Sequence, residues 1–192
     1  YSSQDCINYI PEQADAANTR APTMLRGLPG LTKLNVTGGG EGPALPGWIR
    51  GLHNTEGMLF CVAGSQLCRI NNDYSVDQLG TINGSDFVGM EHNQITNGYQ
   101  LAIGTGASGY IYNTVTGVLT QITDPGFPGT PGFVYSDTYF AGVEPQGRYW
   151  FTSALADGLS YNTLDTYEAE ASPDRILSLL TNHREIWAMG QR

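Results

Sequence analysis

The sequence has few charged residues, few cysteines and no long apolar run. Asp, Glu, Lys and Arg make up only 14% of the 192 residues. A helical protein of this size normally carries more Lys, Glu and Leu at helical spacing, so this composition disfavours a helical fold. No apolar run reaches the roughly eighteen residues that a membrane-spanning helix needs, and no signal peptide is recognised.

Three cysteines are too few, and too irregularly placed, for a disulfide scaffold. Cys6, Cys61 and Cys68 form an odd set without a Cys-x-x-Cys pair. This disfavours both a disulfide framework and a cysteine zinc site. Cys61 and Cys68 lie in apolar runs and are predicted to be small core residues in a protein that folds in a reducing cytoplasm. Pairing of Cys61 with Cys68 across a hairpin stays open.

Basic residues are scarce as well. Nine Lys and Arg stand against 18 Asp and Glu, which gives a net charge of −9 and a pI of about 4.5. Phosphate binding needs clustered Lys and Arg, so a nucleic-acid-binding surface is disfavoured. The charge is compatible with an acidic wall past which nucleic acid slides, and equally with an ordinary soluble acidic protein.

Glycine, tyrosine and short apolar runs are abundant. The 25 glycines and 11 tyrosines accompany apolar runs of strand length, separated by turn sequences such as Asn97-Gly98, a pattern typical of many short strands joined by tight turns. Residues 1–46 differ and are predicted to form an extended N-terminal arm and linker, with Gly38–Pro43 as the flexible part. An ordinary strand with loops is the alternative for this region.

Residues 47–192 carry a repeat. Apolar strands end near four glycines at a spacing of roughly 40 residues: Gly64, Gly104, Gly142 and Gly190. Four short antiparallel strands in about 40 residues match one propeller blade. The fold class predicted is therefore all-β and propeller-like, with three blades plus the start of a fourth. A β-sandwich would show similar strands without a fixed period. The predicted blades span about 48–82, 87–122, 133–169 and 175–192.

The repeat also predicts which strands are equivalent. Four segments are expected at the same position in successive blades: Met58–Ala63, Gln100–Ile103, Tyr139–Ala141 and Ile186–Met189. Closed propellers have about four to eight blades, so the fourth unit is incomplete. We expect the chain to be a fragment of a longer protein, or to be completed by another chain.

Histidines and carboxylates are the candidates for chemistry. His53, His92 and His183 recur at similar places in different units, which is expected to hold their rings well apart and to exclude a shared metal ion. Five carboxylates near the end are interpreted as turn-forming or solvated groups: Asp165, Glu168, Glu170, Asp174 and Glu185. The Gly104–Gly109 loop is predicted to be a hairpin loop, since a strand-like run follows it. The sequence thus predicts no catalytic, cofactor-binding or metal site, and no enzyme.

Aromatic side chains leave a second class of function open. Trp48, Trp150 and Trp187 would suit stacking on sugars in a carbohydrate-binding or glycoside-hydrolase-type propeller. Core packing is the interpretation favoured here for Trp150 and Trp187, which lie in apolar runs. A generic interaction propeller is a third alternative.

Two pairs of segments resemble a known family. The first is Ile7–Pro11 with Leu25–Lys33, and the second is Tyr167–Ile176 with Arg184–Gly190. These stretches are similar to the "Tyr-hydrophobic-Pro", "Leu-Arg-x-hydrophobic-Pro-Gly-hydrophobic-Thr" and "Ala-Glu-x-x-Pro-Asp-x-Ile" signatures of the packaged-DNA stabilisation proteins of short-tailed phages (podoviruses). Arg50-Gly51 and Gly147–Trp150 fall between them in matching order.

This resemblance implies a structural virion protein of the phage tail, made in the host bacterial cytoplasm. Such a tail accessory factor is a nozzle or hub that continues the portal channel, retains packaged DNA and attaches the tail tip for genome ejection. The implied partners are further copies in a ring, hexameric by resemblance, the adaptor below the portal, the tail needle or plug, and tail fibres or spikes. DNA passes through without specific binding, and no membrane is involved. Family members are roughly twice as long, and the chain matches their first part.

Overall fold

The computed structural model describes residues 9–13, 23–27, 45–55, 57–95, 98–168 and 174–191. The chain forms two compact units, Tyr1–Leu34 and Asn35–Arg192. In the first unit, β1 (Tyr9–Gln13) pairs antiparallel with β2 (Thr23–Gly27). The predicted linker Gly38–Pro43 lies outside the described residues, and the predicted boundary between residues 46 and 47 stays a prediction.

The described part of the second unit contains three four-stranded antiparallel sheets and one two-stranded sheet. The first sheet is β3 (Ile49–Thr55), β4 (Met58–Ala63), β5 (Gln66–Ile70) and β6 (Val76–Thr81). The second is β7 (Gly89–Ile95), β8 (Gly98–Gly104), β9 (Gly109–Asn113) and β10 (Val118–Gln121). The third is β11 (Phe133–Ser136), β12 (Tyr139–Val143), β13 (Tyr149–Ala154) and β14 (Asp157–Glu168). The fourth is the hairpin of β15 (Ile176–Asn182) and β16 (Glu185–Gly190). We call these four sheets blades 1 to 4.

The predicted fold class is confirmed: all described elements are strands, and each blade adds its strands in chain order. The predicted equivalence is confirmed as well. The four segments expected at the same position lie in β4, β8, β12 and β16, each of which is the second strand of its blade. The described ranges contain no helix that is long and apolar enough to cross a lipid bilayer.

The first strand of each blade lies at the edge where the blades meet. β3 contacts β7, β7 contacts β11, and β11 contacts β15. At the opposite edge, β6 and β10 contact each other less. Blades that converge on their first strands and diverge toward their last have the arrangement of a propeller. We call the edge formed by β3, β7, β11 and β15 the inner edge.

Apolar side chains fill the space between blades. Alternate residues of β8 point to opposite faces of blade 2. Leu101 and Ile103 therefore pack against Phe60 of blade 1, and Ala102 packs against the side of blade 3. Since both faces of blade 2 are covered, its central strands carry continuous apolar runs rather than an alternating pattern. Each fully buried large side chain stabilises the fold by about 1.5–3 kcal/mol.

The two cysteines of blade 1 lie directly opposite each other. Cys61 on β4 pairs in register with Cys68 on β5. Both side chains are fully buried, and both thiols are free. The prediction that they are small core residues is confirmed. The hydrogen bond with Cys68, together with burial, raises the pKa of the Cys61 thiol.

Candidate functional site

Two of the three histidines meet at the inner edge. His53 lies on β3 and His92 on β7, and the Nε2 atom of His53 is 2.9 Å from the Nδ1 atom of His92. Their ring centroids are 5.0 Å apart. The prediction that the repeat holds these rings well apart is wrong for this pair. Equivalent positions on first strands are neighbours because the first strands of successive blades contact each other.

A carboxylate completes the group. The Oε1 atom of Glu91 accepts a hydrogen bond from the backbone N–H of His92 at 2.9 Å, and it lies 3.3 Å from His92 Nδ1. The candidate ligand atoms of His53, Glu91 and His92 all lie within 4.8 Å of one another. We call these three residues the histidine cluster. The cross-strand partners of His53 and His92 are Phe60 and Leu101, both fully buried, so each histidine lies beside a core strand of its blade.

The environment of the cluster favours the neutral imidazole at His53. Burial lowers the pKa of His53 below its ordinary value, Glu91 opposes this shift, and His92 adds to it. A neutral ring offers a lone pair on one nitrogen and a proton on the other. In the pair, one facing nitrogen donates and the other accepts, and the tautomer decides which.

The third histidine lies elsewhere. His183 occupies the turn between β15 and β16, has a positive φ of 48° and is exposed. It is not a member of the histidine cluster. The predicted separation is therefore consistent with the structure for His183 alone, and this residue provides a natural control for any role of the other two.

Three of the five carboxylates singled out in the sequence lie on strands away from the inner edge. Asp165 and Glu168 lie on β14, the last strand of blade 3, and Glu185 begins β16. Glu170 lies outside the described residues. Among the described residues of the four first strands, Glu91 is the single acid. Sequence reasoning missed Glu91, although its position beside His92 was a signal that an acid lies at this edge.

The tryptophans are less buried than predicted. Trp48 and Trp187 are 53% and 50% exposed, so core packing is the wrong interpretation for Trp187. Trp48 makes an edge-on contact with Phe87, itself 76% exposed. Trp150 is half-buried and stacks on Tyr167 at a centroid distance of 4.3 Å. The apolar run around Trp187 reflects a strand face without a covering neighbour in the described structure.

The Arg50-Gly51 pair fastens blade 1 to blade 2. The Arg50 side chain is buried and donates to four backbone carbonyls, those of Gly64, Ile82, Asn83 and Asp86. A Cβ atom on Gly51 would lie 2.6 Å from the Val88 carbonyl oxygen, so glycine is required for this close approach. β3 therefore contacts the segment between blades 1 and 2 along its length, from Ile82 to Val88.

Similar backbone contacts fasten the later blades. The carbonyl of Pro131 accepts from Gly89 at 2.8 Å, and that of Gly147 accepts from Ile176 at 2.9 Å. Gly147 has a positive φ of 72°, and a Cβ atom there would lie 2.6 Å from the Ile176 carbonyl oxygen. Both Arg50-Gly51 and Gly147–Trp150, the middle segments of the sequence resemblance, thus lie at junctions between blades. Their shared role is to fix one blade on the next.

Comparison with known proteins gives one family. A family model described as "Bacteriophage P22 Gp10, beta-propeller" matches residues 1–192. The comparison with curated proteins returned no significant match.

Proposed function

Because the chain belongs to the bacteriophage P22 Gp10 beta-propeller family, a family of phage structural proteins, we propose that it forms part of a tail nozzle or hub. In this role it continues the portal channel, retains packaged DNA and attaches the tail tip. Family membership over the whole chain carries the proposal, and the blade junctions support it. A channel wall has to resist internal pressure, and successive blades are fixed by buried side chains and by backbone hydrogen bonds.

Imaging of the native particle tests the placement. We expect electron cryomicroscopy of the virion to show the three consecutive blades in a ring around the tail axis, below the portal and its adaptor. The needle or plug and the fibres or spikes would contact this ring or its neighbours. Density for the blades in the capsid shell, or their absence from the virion, would contradict the proposal.

The exposed apolar face of blade 4 supports assembly with further copies. Its hairpin exposes four large apolar side chains: Leu177, Leu180, Trp187 and Met189. Leu180 pairs with Trp187 across the hairpin, so exposed apolar side chains are grouped here, as is typical of an interaction site. We expect Trp187→Asp to lower the assembled fraction measured by light scattering after gel filtration. Val115→Asp is the control, since Val115 is 67% exposed in the distant turn between β9 and β10. Equal effects of both substitutions would contradict a contact at this hairpin.

The acidic balance supports passage of DNA without adhesion. Each neutralised phosphate adds affinity, and a net charge of −9 disfavours such contacts. Acidic turns are the proposed lining, with Asp73 and Asp86 exposed and Asp157 partly exposed. We expect negligible DNA binding in a titration at low salt. Micromolar or tighter binding that weakens steeply with salt would reveal a basic contact surface and remove this part of the proposal.

Carbohydrate binding is the second candidate, and the exposed Trp48 and Trp187 are the observation in its favour. Hydrolysis is disfavoured, because a glycosidase needs two carboxylates about 5 to 10 Å apart and the described first strands offer only Glu91. We therefore propose a protein without enzymatic activity. A glycan array distinguishes the two candidate functions. Binding of a glycan by the wild-type chain that is lost in Trp187→Ala would favour carbohydrate binding.

A further inference from the structure

We propose that His53, Glu91 and His92 bind one divalent first-row transition-metal ion, with Zn²⁺ as the first candidate, and that this ion links blade 1 to blade 2. The inference goes beyond the structural role in the tail and does not depend on it. It replaces the sequence-based expectation that the chain binds no metal, which rested on a separation of the rings that the structure does not have.

The donor set is the first argument. Two imidazole nitrogens and one carboxylate oxygen are ligands that Zn²⁺ accepts in proteins, and the same set suits Ni²⁺, Co²⁺ and Fe²⁺. Hard ions such as Mg²⁺ and Ca²⁺ prefer oxygen ligands alone and are expected to bind far more weakly. Three protein ligands leave coordination positions for water. The side chains of His92 and Glu91 are 35% and 31% exposed, so water can reach them.

The distances are the second argument. Two ligands at about 2.1 Å from one ion, at an angle between about 90° and 109°, lie about 3.0 to 3.4 Å apart. The two ring nitrogens are 2.9 Å apart, and the carboxylate oxygen is 3.3 Å from His92 Nδ1. The candidate ligand atoms of His53 and Glu91 lie within 4.8 Å of each other, so side-chain rotations that bring this pair to about 3.4 Å would seat an ion. Binding requires a lone pair on both facing nitrogens, which a tautomer change of the donating ring supplies without net release of a proton.

The position of the ligands is the third argument. They come from the first strands of two blades, and each strand is paired to a fully buried neighbour, so the cluster exists only when blades 1 and 2 are docked. The hydrogen bond from the His92 backbone N–H orients the Glu91 carboxylate toward the rings. An ion held here would bind the folded chain and not the unfolded one, and would stabilise the fold by linkage.

Titration of the full chain with ZnCl₂ after chelator treatment tests the proposal. Calorimetry and elemental analysis should give one ion per chain, and a hundredfold excess over the dissociation constant should raise the melting temperature by about 5 to 10 °C. His53→Ala and His92→Ala should abolish binding, Glu91→Gln should weaken it at least tenfold, and the control His183→Ala should leave it unchanged. Absence of saturable binding by the wild-type chain would overturn the proposal. So would binding that survives both histidine substitutions.

The wild-type chain supplies a second measurement in case a histidine variant does not fold. In NMR spectra, Zn²⁺ should shift the imidazole resonances of His53 and His92 and leave those of His183 in place. Shifts confined to His183, or equal shifts of all three rings, would overturn the assignment of the site. His53→Gln, which keeps a polar side chain of similar length, should lose the zinc-induced rise in melting temperature. Retention of that rise in the folded variant would also count against the site.

Discussion

Blades 2 and 4 use the same repeat unit in opposite environments. In blade 2, Leu101, Ala102 and Ile103 of the second strand are fully buried, because blade 1 covers one face and blade 3 the other. In blade 4, the equivalent strand β16 is largely exposed, including Trp187 and Met189. Both strands have apolar sequences. The repeat therefore encodes an apolar second strand in each blade. Whether that strand is buried depends on the blade that packs against it.

The junctions show the same difference. Blade 1 is fixed to blade 2 by the buried Arg50 side chain, by close approach at Gly51 and by the histidine cluster. Blade 4 meets blade 3 through contacts of β15 with β11 and β12 and through the backbone bond between Gly147 and Ile176. Ile176 is the one buried hydrophobic residue among the described residues of its hairpin. Stability should therefore be concentrated in blades 1 to 3, with blade 4 opening first.

Truncation of a buried aromatic ring should give the largest difference between the two regions. Phe60→Ala removes a fully buried side chain between blades 1 and 2 and should lower the free energy of unfolding by about 3–5 kcal/mol. Trp187→Ala removes a larger ring from the exposed face of blade 4 and should cost less than about 1 kcal/mol. Urea denaturation followed by circular dichroism measures both. Equal losses would show that blade 4 is packed as tightly as blade 1.

Loss of the buried Arg50 guanidinium should give the second largest decrease in the free energy of unfolding. Arg50→Met leaves four backbone carbonyls without their donor and should cost about 3 kcal/mol. Arg184→Met, in the exposed turn of blade 4, should stay within about 0.5 kcal/mol of the wild type. The same denaturation experiment compares them. A small effect of Arg50→Met would mean that water satisfies these carbonyls and that the arginine is not what fixes the junction.

Alanine substitutions at two glycines should give a smaller difference in stability between the junction of blades 1 and 2 and the hairpin of blade 4. A Cβ atom at Gly51 would approach Val88 Cγ2 and its carbonyl oxygen to 2.6 Å, whereas one at Gly190 would find its nearest atom at 3.6 Å. Gly51→Ala should therefore cost about 1–3 kcal/mol through the forced separation of the blades. Gly190→Ala should be close to neutral. A melting temperature lowered equally by both would refute the close-packed junction.

The sequence predicted the strands and their equivalence because both depend on local patterns. Apolar runs of strand length, turn residues and the glycine at the end of each second strand are all short-range signals, and they recur at a fixed spacing. The positions of Met58–Ala63 and Gln100–Ile103 followed from this repeat alone. Burial of Cys61 and Cys68 followed from the same runs.

The histidine cluster and the exposure of Trp187 were not predictable in this way. Both depend on which blade lies beside which, and at what distance, a property of the packed structure and not of any one repeat. His53 and His92 stand 39 residues apart in the chain, one repeat length, and meet because the first strands converge. Arg50 belongs to one of the motifs that resemble the family. Its four carbonyl partners come from the β4–β5 turn and from the segment between β6 and β7, and no local sequence pattern predicts them.

The smallest expected effect is a pH dependence carried by the histidine cluster. Burial lowers the pKa of His53 below 6.5 in the folded chain. The unfolded chain therefore binds the proton first as pH falls, and stability contributed by the neutral ring is present above pH 6.5 and lost as pH drops from 6.5 toward the folded value. Urea midpoints between pH 8 and 5.5, measured with chelator to remove metal ions, should decline more in the wild type than in His53→Gln. His183→Ala, altered only in the exposed turn of blade 4, should follow the wild type. If the urea midpoint of His53→Gln declined with pH as steeply as that of the wild type, the pH dependence would come from groups other than His53.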